Sequence, residues 1–326
     1  MKCFPTAGVV AVVCVLIFSA AAAQEDLAGT PTLFASRRAY TPVPAPQVGG
    51  ELTLRKEMAE VHLELTAMDA QSRPVTDLTA AQLTILDEGK VVTTITDFRR
   101  DSDLALDLGI VIDASDSVGK QLKEEKEAAM GFIRRSIRAD SDRAFVEAFG
   151  TKVLFLQGPT GDAGLIADVI RNLSPLGLTS LYDAVFLACH DGFEASKRGP
   201  VRRSVVLITD GEDSYSIHGL EDAILAAQRS AVTIYAITLH PAGEASVGDR
   251  VLGRLTEATG GRHFVISRRS QLQLAFELIE SELRSDYSVS YALTDGQRDG
   301  RYHRVQVQAS GNRKIRTRSG YLAPER

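Results

Sequence analysis

The sequence has no tryptophan, few aromatics and almost no cysteine. Aromatic residues make up 6% of 326. That is too few for the stacking platforms that hold bases or sugars. Neither sign of charge dominates: 37 Lys and Arg stand against 42 Asp and Glu, a net charge of -5. Such a balance gives no electrostatic reason for nucleic acid as the main partner. Beyond the first 23 residues, no apolar run approaches the roughly 20 residues a spanning helix needs. What remains is ordinary globular protein, 44% hydrophobic and 24% charged, which excludes wholesale disorder. At roughly 150 residues per domain, the length suggests about two domains.

The cysteines inform by position. Cys3 and Cys14 lie in residues 1–23, which read as a secretory signal peptide. Lys2 opens it, Gly8 to Phe18 form its apolar run, and Ala21-Ala22-Ala23 offers a cleavage site. The alternative is an uncut membrane anchor, but the run is short for one. Cleavage removes Lys2 and no acid, taking the net charge from -5 to -6. One cysteine, Cys189, then remains and no internal disulfide can form. The expected location is outside the cytoplasm: periplasm, cell surface or released. No later segment is expected to cross a membrane.

Residues 24–50 carry Pro31, Pro42, Pro44 and Pro46 and read as an extended linker. A loop packed on the first domain is the alternative. From Val61 to Thr66 apolar and polar residues alternate, as in a half-buried strand. Asp87-Glu88-Gly89-Lys90 reads as a hairpin turn, with a returning strand over Val91–Phe98. Leu108 to Ile112 is nearly continuous and apolar, as in a strand buried on both faces. Helices then alternate with strands. They are expected at 119–138, 163–173, 180–196, 220–230, 247–259 and 270–284. Strands are expected at 144–149, 153–156, 205–209, 232–239 and 263–266. On the first helix, Leu122, Ala129, Phe132, Ile133 and Ile137 share a face, with Glu124 to Glu127 largely off it. After Arg284 the period returns to two, through Tyr287, Val289, Tyr291 and Leu293.

The expected class is therefore α/β, with a mostly parallel, doubly wound sheet over residues 101–285. Each flanking β segment, 51–100 and 286–326, is small for its own core. They are expected to pack together as a β-sandwich-like domain around the α/β insertion. Two separate β appendages are the alternative.

Open parallel sheets bind ligands at the carboxyl ends of their strands. Three segments place oxygen side chains there. Asp113, Ser115 and Ser117 follow the strand ending at Ile112, spaced to aim three oxygens at one point. Thr179 lies in a loop before a helix. Asp210, in Thr209-Asp210-Gly211, follows the strand 205–208. Such a set suits Mg²⁺, with Mn²⁺ and Ca²⁺ as alternatives. No His and Cys cluster argues for zinc.

The segments IVIDASDSVGKQLKEEKEAAMGFIRR, GLTSLYDAVFLAC and RSVVLITDGEDSYS, in that order, resemble the von Willebrand factor A domain of exported bacterial proteins. SRPVTDLTAAQLTILDEGK and the run through SGYLAP extend the resemblance over about residues 58–324. It implies a metal-ion-dependent adhesion site, with Asp113, Ser115, Ser117, Thr179 and Asp210 as the ligand set. It also implies a partner protein whose carboxylate completes the cation's shell. Asp116 stands where related sequences often have Gly, and Leu178 replaces a Gly commonly found before the Thr. Asp116, Glu212 and Asp213 are candidates for the rim of the site.

Other features read plainly. His190 and His218 show no His-x-x-His pattern, and no catalytic or ligand role is expected of either. Cys189 reads as a small buried hydrophobe. Arg262, Arg268 and Arg269 read as a solvated face. No nucleophile-elbow, zincin or P-loop pattern occurs. A phosphatase built on Asp113 would want an acid at the position held by Ser115. The expected function is non-enzymatic protein binding. A structural subunit docking through its β region and a Mg²⁺-dependent phosphatase are the alternatives.

Overall fold

Val61, Leu63 and Leu65 are buried along one face of β1 (Glu60–Met68), so the alternation read from the sequence is realised. The structure is a computed structural model. It describes residues 59–325, apart from 72, 101–102, 119–121, 195–200, 240–245 and 285–286. The expected signal peptide and linker lie outside the described residues. β2 (Leu83–Asp87) turns through Glu88 and Gly89, both at positive φ, into β3 (Lys90–Val91). That is the turn a tight hairpin needs. The chain then leaves the hairpin and forms β4 (Ile95–Arg100).

The α/β layer follows. Its elements are β5 (Ala105–Asp113), α1 (Leu122–Ser136), β6 (Arg143–Phe149), β7 (Val153–Thr160), α2 (Ala163–Arg171) and α3 (Leu181–Leu187). β8 (Val201–Ile208), α4 (Leu220–Arg229), β9 (Val232–Leu239), α5 (Val247–Thr259), β10 (Arg262–Ile266) and α6 (Arg269–Glu282) complete it. The six strands run in the order β10-β9-β8-β5-β6-β7. All neighbours are parallel except β7, which is antiparallel to β6. Three residues separate those two strands, too few for a parallel crossover. Helices cover both faces. α1, α2 and α6 pack with Ile110, Ile112, Val206 and Ile208. α3, α4 and α5 pack with Val111, Val205 and Leu207. The expected helix over 180–196 is shorter. α3 passes into a π-helical turn at Ala188–Gly192, where Gly192 lies against the Phe145 ring. Cys189, the one described cysteine, is buried there, and burial pushes its thiol pKa up.

The chain closes with β11 (Tyr287–Ala292), β12 (Tyr302–Ala309), β13 (Lys314–Arg316) and β14 (Gly320–Leu322). These join the opening strands in two four-stranded sheets, β13-β1-β11-β4 and β14-β12-β2-β3. β1 pairs with β11 from Glu60↔Ala292 to Leu65↔Tyr287. The expected single strand over 91–98 is thus two strands in different sheets: β3 pairs with β2 and β4 with β11. The switch lets Phe98 stack on Tyr287 at 5.5 Å while Val92 packs into the core between the sheets.

Candidate metal centre

Asp113 ends β5 beside β8, and both strands are apolar and buried up to the edge. The side chain of Asp113 is fully buried, yet its carboxylate meets only neutral donors. Oδ1 accepts from the Ser115 N–H at 2.8 Å and Oδ2 from the Thr209 hydroxyl at 2.7 Å. Burial pushes its pKa up to about 6, against the opposing hydrogen bonds from Ser115 and Thr209. The Ser115 and Ser117 hydroxyls lie 3.0 Å apart. Ser117 donates to Asp210 Oδ2 at 2.9 Å. Four of the five expected ligands therefore form one hydrogen-bonded set at the carboxyl ends of two adjacent strands.

Thr179 lies in the loop between them and the helical layer. Backbone bonds fasten this loop on both flanks. Leu176 N–H donates to Ala114 O at 2.6 Å, and Asp116 N–H to Gly177 O at 2.9 Å. On the other side, Ser214 and Tyr215 N–H groups both donate to Thr179 O at 2.9 Å. No hydrogen bond among the described residues joins the Thr179 hydroxyl to the other four. Gly211 sits at φ +81, and a Cβ there would come within 2.6 Å of Gly248 O. Only glycine lets the Asp210 loop press against the start of α5.

The rim candidates separate. Asp116 and Glu212 are exposed, and the Glu212 N–H donates to Asp210 Oδ1 at 3.0 Å. Asp213 instead accepts from Tyr182 N–H in the first turn of α3 and from the Ser216 hydroxyl. Its carboxylate braces that helix. Leu178 is 52% exposed beside the site. Both histidines pair with an acid, His190 with its neighbour in the sequence. His218 Nδ1 lies 2.7 Å from Asp183 and His190 Nδ1 2.6 Å from Asp191, and both rings stack on Phe186. Asp183 also takes the N–H groups of Ile217 and His218, so it anchors the loop after Asp210.

One acid escaped the sequence reading. Glu125 was expected off the apolar face of α1, yet it is 2% exposed and its Oε2 has no partner. Burial, then the charges of Asp113 and Asp210, push its pKa up to about 8. The signal was present, since Leu122 and Ala129 at i-3 and i+4 are core residues and place Glu125 in their stripe.

All the donors in this set are oxygens. Among the described residues no Lys, Arg or His pairs with Asp113 or Asp210. Among those residues, too, no three His, Cys, Asp or Glu side chains gather closely enough to hold a metal by themselves. The set therefore depends on the Ser and Thr hydroxyls, and it fits a hard divalent cation that takes neutral oxygen ligands and water.

The profile of the von Willebrand factor type A domain matches residues 107–279, more than half of the chain. Among solved structures, proximal thread matrix protein 1 from the mussel byssus, with a zinc-occupied MIDAS motif, is 19% identical at TM-score 0.50. The alignment covers 61% of this chain and 50% of that one. BatB from Bacteroides thetaiotaomicron is 16% identical at TM-score 0.46, covering 55% of this chain and all of the other. The vWF domain of the type V pili tip protein Mfa5 from Porphyromonas gingivalis is 14% identical at 0.43, covering 54% and 94%. The mussel protein's likeness shows the fold alone. No curated protein matches the chain in sequence. The chain belongs to the von Willebrand factor type A domain family.

Proposed function

We propose that this chain is a cation-dependent, non-enzymatic protein-binding module. Domains of its family commonly mediate adhesion between proteins. Asp113, Ser115, Ser117, Thr179 and Asp210 hold the cation, Mg²⁺ first, with Mn²⁺ and Ca²⁺ as alternatives. Zinc belongs in the same titration because it occupies the motif of the mussel protein. The observation that carries this reading is the pair of carboxylates joined through Ser115 and Ser117 with no cationic side chain against them among the described residues. Acids gathered at a buried edge need a positive partner.

When bound, the cation supplies a positive, Lewis-acidic centre for a carboxylate oxygen of the partner. The protein's own residues do the rest. Thr209 and the Ser115 N–H fix Asp113, and Asp113 in turn fixes the loop that presents both serines. Ser117 is exposed and Asp210 half-buried, so a partner can reach that side of the site. Asp116 and Glu212 add negative charge at the rim. They favour the cation and disfavour an acidic partner.

The strand pairing supports one discontinuous β domain, 51–100 with 286–326, around an inserted domain at 101–285. The leader at residues 1–23 supports export to periplasm, surface or medium. No helix among the described residues is long and apolar enough to cross a membrane. Pull-downs in Mg²⁺ and in EDTA, with the intact chain and with Asp113→Ala, test the reading. Partners that need the site are lost in EDTA and in the variant. A partner set unchanged by both contradicts it.

A further inference from the structure

At the end of the central sheet away from Asp113, the turn from α5 to β10 meets the chain just after β13. Gly260, at φ +82, makes this junction close: a Cβ there would lie 2.7 Å from the backbone of Thr317. Beside it opens a cleft of about 820 Å³. Three strand edges line it. β10 is outermost in the central sheet, and β13 is outermost in its own. β12 pairs with β14 only through Tyr302–Arg304, so from Gln306 that flank has no strand partner among the described residues. Unpaired edges of this kind are templates for an added strand. The groove continues into a second hollow of about 460 Å³, which shares Glu257, Arg304 and Ser319 with the first.

The walls are basic in a chain whose net charge is -5. Arg262, Arg304, Lys314 and Arg316 line the cleft against one acid, Glu257. A second acid, Glu282, is buried beneath and pairs with both Arg262 and Arg316. Four positive groups against these two negative ones leave a local excess of two. Arg304 and Lys314 are exposed and have no ion pair among the described residues. Two polar atoms of the lining, Arg316 Nε and Thr317 Oγ1, are buried without a partner. Between the charges, Val307 and Ile315 offer half-buried apolar contacts.

We propose that this cleft binds an extended, acidic segment of a partner protein, which adds as a strand along the free flank of β12 and sets its carboxylates against Arg304 and Lys314. The backbone of such a segment satisfies the open edge, and alternate side chains reach the apolar floor or the basic rim. This site is separate from the proposed cation site and does not depend on it.

The test is fluorescence polarisation with the full chain in EDTA, which keeps the cation site out of play. The probe is a labelled peptide of alternating Glu and Val. The proposal expects saturable binding, at least about tenfold weaker for the doubly substituted R304E/K314E protein and for a Gln-for-Glu peptide. Peptide methylated at alternate backbone nitrogens should also lose binding, because the strand bonds are gone. Binding that survives N-methylation, or that inorganic phosphate competes away, overturns the strand mode and leaves an anion patch. Binding unaffected by R304E/K314E overturns the location. Sedimentation that shows a dimer abolished by R304E/K314E assigns the cleft to a second copy and overturns the proposed partner.

Discussion

Two groups of buried oxygens in this chain have opposite characters. In the β-sandwich, Asp87 is 1% exposed and its carboxylate is surrounded by donors. Tyr291, Tyr321 and Gln297 donate to Oδ2 at 2.9, 2.7 and 2.9 Å, and His303 Nδ1 lies 3.2 Å from Oδ1. His303 is itself held from the other side by Asp299 at 3.1 Å. At the sheet edge, Asp113 and Asp210 meet hydroxyls and backbone N–H groups, with no positive charge among the described residues. The first group is closed, and its donors come from both sheets, so it fixes how they pack. The second is open on one side, where Ser117 is exposed. A closed network serves the fold. An open one is available to a ligand.

The largest expected effect breaks the closed group. Asp87→Ala strands two tyrosine hydroxyls, an amide and an imidazole in the core. It should destabilise the chain by about 3–5 kcal/mol in urea unfolding. Asp210→Ala should behave the other way, with stability in EDTA changed by less than about 1 kcal/mol and Mg²⁺ affinity lost. If both variants cost equal stability, the distinction between the two groups fails.

The next effect is on pH. Asp113 and Glu125 have folded pKa values above their ordinary ones, about 6 and about 8. The folded chain thus binds more protons than the unfolded one between their ordinary range, near 4, and pH 8. Their contribution to stability is full at low pH and falls as pH rises through that window. Glu147, raised by burial on β6, slopes the same way. His303 does too. Burial works to lower it, but Asp299 and Asp87 outweigh that and raise it, so its contribution is lost as pH rises through its folded value. Melting in EDTA should therefore show a Tm that falls from pH 5 to pH 8. Glu125→Gln should flatten the slope, and saturating Mg²⁺ should flatten it in the unaltered chain. A slope identical in Glu125→Gln contradicts the contribution of that acid.

The smallest effect sharpens the comparison. Asp116 is exposed at the rim, so Asp116→Gly removes one charge and little packing. It should weaken Mg²⁺ binding by a few-fold without changing stability. Equal affinity by calorimetry counts against a role for this residue.

The open group was more legible in the sequence than the closed one. Asp113, Ser115 and Ser117 follow a buried apolar strand at alternate positions, and Asp210 follows a second such strand. Strand ends are local events, and topology alone brings them together. The α/β layer was legible for the same reason. Asp87, Tyr291, His303 and Tyr321 carry no local pattern, because they are separated by as many as 234 positions and meet only when the two sheets pack. The split of the expected 91–98 strand was hidden too, since each half sets one partly buried apolar residue, Val92 or Phe98, against the same core and only the sheet each joins differs. Glu125 was misplaced because its neighbours Glu124, Lys126 and Glu127 made the whole turn look solvated.

The most direct measurement is isothermal calorimetry of Mg²⁺ binding to the metal-free chain, beside Ser115→Ala and Asp210→Ala. One site per chain, with affinity lowered at least about tenfold in each variant while both remain folded, is the predicted result. No saturable binding of Mg²⁺, Mn²⁺, Ca²⁺ or Zn²⁺ to the unaltered chain, or equal binding in the variants, would contradict it.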